Sequence, residues 1–140
     1  MNTNSASMSQ RCPSAVDLGP AHLPDHTMVF NYYCDIVPAA GGAMPGVLWE
    51  IDEDTLTQLD YFEGFPEFYQ RKQVQVVCNN LSGWVNAWVY YMPQGEPGKP
   101  STMYYECVHQ GYAQHGLNTE ILSDALRCVD KYSTQLTGEV

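Results

Sequence analysis

The chain has 140 residues, enough for one domain that buries about two-thirds of its unfolded surface without metal or disulfide staples. Six Lys and Arg stand against 16 Asp and Glu, a formal charge of -10 that repels phosphate backbones and anionic bilayers, so the sequence excludes nucleic acid and membrane as partners. Cys12, Cys34, Cys78, Cys107 and Cys128 are odd in number and scattered, the N-terminus has neither a basic start nor an apolar core, and no apolar run spans a bilayer; the reading is a soluble, cytoplasmic protein with free thiols.

Residues 1–12 form a short helix before Cys12-Pro13, and residues 18–24, with Gly19, Pro20 and Pro24, read as an irregular connection. Strand formers fill residues 27–33, a shorter extended piece covers residues 35–37, and residues 39–44 are a small-residue turn. Residues 45–51 read as a strand that runs directly into an acidic helix start at Asp52-Glu53-Asp54, where carboxylates suit the positive helix end. Residues 69–78 alternate, with Val74, Val76 and Cys78 on one face, and residues 84–92 alternate again beyond an Asn79–Gly83 turn, which predicts an antiparallel hairpin. Its second strand is apolar on both faces, as in a closed or covered sheet, and Trp84 and Trp88 share one face as packing residues or an aromatic binding surface. Ser101 caps a helix over residues 102–115 that Gly116 stops, and Asn118 caps a last helix through about Tyr132. The chain is thus one domain over residues 1–132 with a loose tail over residues 133–140.

The helix after Asp52 carries the most informative residues. Leu56, Leu59 and Glu63 fall at i, i+3 and i+7, so the apolar stripe that docks this helix also carries Glu63 inward, and Gly64 ends the helix. A carboxylate at the negative end of a helix and against apolar surface is expected to rise toward neutrality in pKa, which is the tuning an acid/base needs. Taken alone, a Glu before a Gly also fits an ordinary surface residue. His22 and His26 flank Pro24, which breaks the helical face a metal pair would need, and His109 and His115 do not share a face, so no metal is expected. No cysteine has a partnered nucleophile motif, and the chain has neither a phosphate-binding glycine loop nor a G-x-S-x-G elbow.

Taken in order, Arg11-Cys12-Pro13, Leu18-Gly19-Pro20-Ala21, Asp35-Ile36-Val37-Pro38, Gly46-Val47-Leu48-Trp49-Glu50-Ile51, Leu59-Asp60-Tyr61-Phe62-Glu63-Gly64 with Tyr69 and Arg71, Pro100-Ser101 with Tyr104, and Gly111 with His115-Gly116-Leu117 resemble the gamma-glutamylcyclotransferase-like family, which also takes in gamma-glutamylamine cyclotransferases. The resemblance covers nearly the whole chain. It implies an α+β fold, a small mixed β-barrel flanked by helices whose mouth binds a small-molecule gamma-glutamyl substrate, with no cofactor. It implies that Glu63 is the catalytic acid/base and that Tyr104 lines the substrate site; Tyr69 could orient substrate or simply pack.

In the family a first strand runs into a Tyr-Gly-Ser-Asn loop whose backbone N–H groups hold the substrate, and this sequence begins at Met1 and Asn2, where that loop would end. Met1 and Asn2 are therefore placed at the substrate. Translation starting upstream is the favoured expectation, since a lost strand would leave a sheet edge to be managed; otherwise the chain lacks a barrel strand. The implied reaction releases 5-oxoproline from a gamma-glutamyl amine or dipeptide. A non-catalytic member of the fold that binds a metabolite or protein, and an amide hydrolase in which Glu63 activates water, are the alternatives. The sequence does not fix the leaving amine or the oligomeric state.

Overall fold

The computed structural model describes residues 2–138, with side chains through residue 129. Asn4 opens the first helix, α1 (Ser5–Arg11), by accepting a hydrogen bond from the Ser7 N–H, and Arg11 falls in the last turn, where a cation suits the negative helix end. Two long strands follow, β1 (Val16–Asn31) and β2 (Tyr33–Glu50), folded on one another as a hairpin with Tyr32, at φ 65°, as its apex. Then come α2 (Glu53–Glu63), the hairpin of β3 (Gln70–Cys78) and β4 (Trp84–Tyr91), and the helices α3 (Thr102–Gln114) and α4 (Glu120–Gly138). α4 continues helical through the stretch from Ser133 that the sequence assigns to a tail.

The strands form one antiparallel sheet in the order β2-β1-β3-β4, so the fold is α+β as expected. It is not the expected mixed barrel. Among the described residues no ladder joins the outer edges of β2 and β4, and the sheet stays open. β4 is accordingly an edge strand rather than a covered one; Trp84 is exposed, and Trp88, partly exposed, carries the Arg71 guanidinium on its ring.

Residues 18–24 also differ from expectation, being part of β1. Prolines are tolerated there because β1 pairs with β3 only at Ala21 and His22, which leaves much of that side of the strand with no ladder to break. The register with β2 jumps between Pro24 paired with Ala43 and His26 paired with Pro38. Residues 39–42, read as a turn, are instead a bulge in β2, and the Asp25 carboxylate accepts from the Gly41 N–H at 3.0 Å to hold it. The irregularity shifts the alternation of β1 by one: Ala21 and Leu23 are buried before it, Met28 and Phe30 after it.

Three apolar clusters result among the described residues. Met28 and Phe30 pack with Val108 and Tyr112 of α3 and with Leu122, Ala125 and Val129 of α4. Ala21 and Leu23 pack with Val76 and Cys78 of β3. Met8, Cys12 and Leu59 join α1 to α2, with Trp49 and Tyr90 against them.

A polar clasp ties the end of α3 to β1. His115 Nδ1 bonds the Gly111 carbonyl at 2.9 Å, and Nε2 meets the Asp17 carboxylate at 2.6 Å. Burial works against the charged ring, but both partners are acceptors that hold its protons, and the balance raises the pKa above the ordinary histidine value. A raised folded-state pKa gives stabilisation that is complete below the unfolded value of about 6.5 and lost as pH rises through the folded one. Denaturation at pH 6 and pH 8.5 should therefore show the native chain losing more stability than His115→Gln, by less than about 1 kcal/mol because Asp17 is partly in solvent. A native chain that gains stability over this window relative to the variant reverses the sign and rules the clasp out.

Candidate functional site

α2 delivers its carboxylate as the sequence requires. Asp52 caps the helix, accepting from the Thr55 N–H at 2.7 Å, and Gly64 ends it in the left-handed conformation at φ 68°, which a residue with a Cβ adopts only with strain. Between these caps Leu56, Leu59 and Glu63 all lie on the wall of one cavity of about 560 Å³. The rest of the wall is mostly the apolar face of the sheet, including Leu23, Val76 and Val85. The Glu63 side chain is 17% exposed, and Arg11 Nη1 stands 3.5 Å from its Oε1. The sequence places apolar surface against Glu63; the structure adds this opposite charge, from α1.

Tyr69 and Tyr104 line the same cavity and hold the main chain of one residue, Cys34, from its two sides. The Tyr69 hydroxyl donates to the Cys34 carbonyl at 2.7 Å, and the Cys34 N–H donates to the Tyr104 hydroxyl oxygen at 3.0 Å. The Tyr69 proton is committed, leaving its lone pairs to accept, while Tyr104 keeps a proton to donate. Burial pushes both phenols up in pKa, and for Tyr69 the Glu63 charge adds to it, so both stay protonated across the neutral range. Tyr33 stands edge-on to Tyr104, with ring centroids 5.2 Å apart, and likewise to Phe68 at 5.7 Å.

The sequence reading missed three residues here. Arg11 is one. Asp35, 3% exposed, accepts from the Ile36 and Met92 N–H groups at 2.8 and 2.9 Å and from Asn31 Nδ2 at 2.8 Å, so it fixes the backbone around Cys34 and the end of β4. In the sequence Asp35 stands as an acidic residue inside a run of strand formers and as the first residue of the Asp35-Ile36-Val37-Pro38 segment of the resemblance, with no role attached to it. Cys34 lines the cavity with a thiol whose pKa burial raises, which makes it a poor nucleophile.

Of the two N-terminal residues placed at the substrate, Met1 lies outside the described residues, and Asn2 lines the cavity with Thr3. The segment is pinned to α3: Asn4 Nδ2 donates to the Cys107 carbonyl at 3.0 Å and to Gln110 Oε1 at 3.3 Å, and Gln114 Oε1 accepts from the Ser5 N–H at 3.1 Å. Gly111 lets the two backbones meet. A Cβ there would fall 2.6 Å from the Thr3 carbonyl carbon and oxygen and 2.7 Å from Asn4 N, all main-chain atoms that cannot swing aside. Gly111→Ala should therefore cost about 1–3 kcal/mol in chemical denaturation. Unchanged stability would show that the segment is not seated on α3 as described.

A family model described as "Gamma-glutamyl cyclotransferase, AIG2-like" matches residues 1–112. Two relatives provisionally named as gamma-glutamylcyclotransferases are similar over shorter stretches. One, from Methanocaldococcus jannaschii, is 37% identical over 49 residues, or 35% of this chain and 40% of that protein. The other, from Drosophila melanogaster, is 32% identical over 53 residues, or 38% of this chain and 33% of that protein. The matched stretch thus spans less than half the length of either relative. Among solved structures, a gamma-glutamyl cyclotransferase superposes with a TM-score of 0.78 at 23% identity, covering 89% of this chain and 80% of that one. An uncharacterized Homo sapiens protein superposes with a TM-score of 0.76 at 23% identity over the same shares. At these identities the structural likeness shows the shared fold.

Proposed function

The chain belongs to the gamma-glutamyl cyclotransferase, AIG2-like family, and from that premise we propose that it closes the gamma-glutamyl group of a small amide into 5-oxoproline, with Glu63 as the proton carrier. The observation that carries this reading is that Glu63, Tyr69, Tyr104 and Asn2, brought from four separate parts of the chain, line one cavity.

The chemistry asks little beyond positioning. The substrate's alpha-amine attacks its own gamma-carbonyl, a new carbon–nitrogen bond closes the ring, and the amide carbon–nitrogen bond breaks. Because nucleophile and electrophile are tethered, orientation alone can supply on the order of 7–11 kcal/mol. The ammonium must first lose a proton and the leaving nitrogen must gain one. One carboxyl can take the first and return the second, which suits Glu63. Tyr104, with a proton still to donate, can hold an acceptor oxygen of the substrate, and Tyr69 can accept from its ammonium.

Incubation of the protein with a panel of gamma-glutamyl amines and dipeptides should release 5-oxoproline, detected by mass spectrometry. Free glutamate in its place would mean that Glu63 activates water instead. Neither product from any substrate would leave a binding role for the cavity.

A further inference from the structure

One polar group on the cavity wall is without a partner among the described residues, and another is held in a set direction. Thr3 Oγ1 is buried without a hydrogen bond. Asn2 is the more telling, because its orientation is fixed. Its backbone carbonyl accepts from Trp49 Nε1 at 2.7 Å, and its Oδ1 accepts from Arg11 Nη2 at 2.7 Å. A guanidinium can only donate, so the amide atom facing Arg11 must be the oxygen, and the Nδ2 protons point the other way. A donor held in this way beside the cavity can bond a molecule bound there.

Arg11 is not itself on the cavity wall. It stands behind it, with Nη2 on Asn2 and Nη1 beside Glu63 Oε1 at 3.5 Å, and its Nε is buried without a hydrogen bond. One planar cation therefore orients the amide through a hydrogen bond and, more loosely, faces the carboxylate. A lysine ammonium lacks the rigid fork that addresses two acceptors in set directions. Glu63 and Asn2 line the same cavity, so one molecule bound there can meet both.

Resting on the reading of Glu63 as proton carrier, we propose that Asn2 is a second catalytic residue, whose Nδ2 donates to the gamma-carbonyl oxygen, and that Arg11 is the positioning residue that aims it. As the alpha-amine adds to the carbonyl carbon, the carbonyl electron pair moves onto oxygen, where a preorganised donor is worth most. When the intermediate collapses that pair returns, and the leaving nitrogen departs with the proton from Glu63. Nothing else is consumed.

Steady-state 5-oxoproline release by the native chain, Asn2→Ala, Asn2→Asp and Arg11→Lys tests the assignment. Asn2→Ala should lower kcat by about 10²–10³, the loss typical of one oxyanion donor, with KM changed only a few-fold. Asn2→Asp keeps the shape, gives Arg11 a stronger acceptor and removes the donor, so it should fold as well as the native chain and be as slow as the alanine variant. Arg11→Lys should lower kcat about tenfold or more with KM and thermal midpoint near native. Full kcat in Asn2→Asp overturns the donor role, and so does a raised KM with kcat intact, which would place the amide on the ground-state carboxylate. Loss confined to the thermal midpoint in Arg11→Lys overturns the positioning role. A native chain that makes no 5-oxoproline sinks the underlying reading of Glu63; native turnover with a fully active Asn2→Ala sinks this assignment alone.

Discussion

Glu63→Gln should lower 5-oxoproline formation by about 10²–10⁴-fold, or about 3–5 kcal/mol of transition-state stabilisation, while leaving substrate binding within a few-fold of native. Gln has the shape of the carboxyl and still offers Arg11 an oxygen, but it cannot take a proton from the ammonium and return it to the leaving nitrogen. The folded state should barely notice. Glu63 sits at the negative end of α2, where a carboxylate opposes the helix dipole, and its ion pair with Arg11 is long at 3.5 Å. A change of about 1 kcal/mol or less in unfolding free energy is expected, the scale of a loose pair. Full turnover by Glu63→Gln would falsify the proton-carrier role. A variant that is slow only because it unfolds would show itself by a lowered thermal midpoint, so the two measurements belong together.

The parts of this site that were legible in the sequence are those set by local rules. The acidic helix start at Asp52, the stop at Gly64 and the cap at Ser101 act within a few residues, and in the structure each opens or ends its helix, Asp52 as the N-cap itself. Helical spacing carried Leu56, Leu59 and Glu63 onto one wall, and alternation carried Val76 and Cys78 into the core. The β1–β2 hairpin was illegible because both strands contain the residues that usually punctuate them. Pro20, Pro24, Gly41 and Gly42 mask the alternation, and the one-residue shift near Asp25 reverses its phase midway. The open sheet was illegible for another reason: closure depends on whether two edges meet, which no single strand's pattern records. Arg11 reaches Glu63 and Asp35 reaches Met92, partners far away in the chain and beyond the reach of any periodicity.

How α2's last turn keeps its place leads to the largest expected effect on stability. Asp60, one turn before Glu63, receives Arg71 Nε at 2.9 Å on Oδ1 and Nη2 at 3.2 Å on Oδ2, and Oδ1 also accepts from the Tyr90 hydroxyl at 2.7 Å. The guanidinium lies over the rings of Phe65, at 4.7 Å, and Trp88, at 4.3 Å. The network therefore joins α2 to β3 and β4, and both charged side chains are about four-fifths buried, at 18% and 19% exposed. Asp60→Ala leaves a buried cation and a buried hydroxyl without their acceptor and should cost about 2–4 kcal/mol, whereas Tyr90→Phe, which removes one donor from a carboxylate that keeps two, should cost about 1 kcal/mol. Combining Asp60→Leu with Arg71→Met removes both charges and should recover much of the loss, because desolvation of the pair disappears along with its attraction. Arg71→Lys should behave nearly like Asp60→Ala, since an ammonium can neither chelate the carboxylate nor lie flat on the two rings. Equal stability of Arg71→Lys and the native chain would reduce the network to a point charge. Since Glu63 follows Asp60 by one turn, any of these variants that loosens the turn should also lower kcat more than it raises KM, with the order of kcat losses following the order of stability losses.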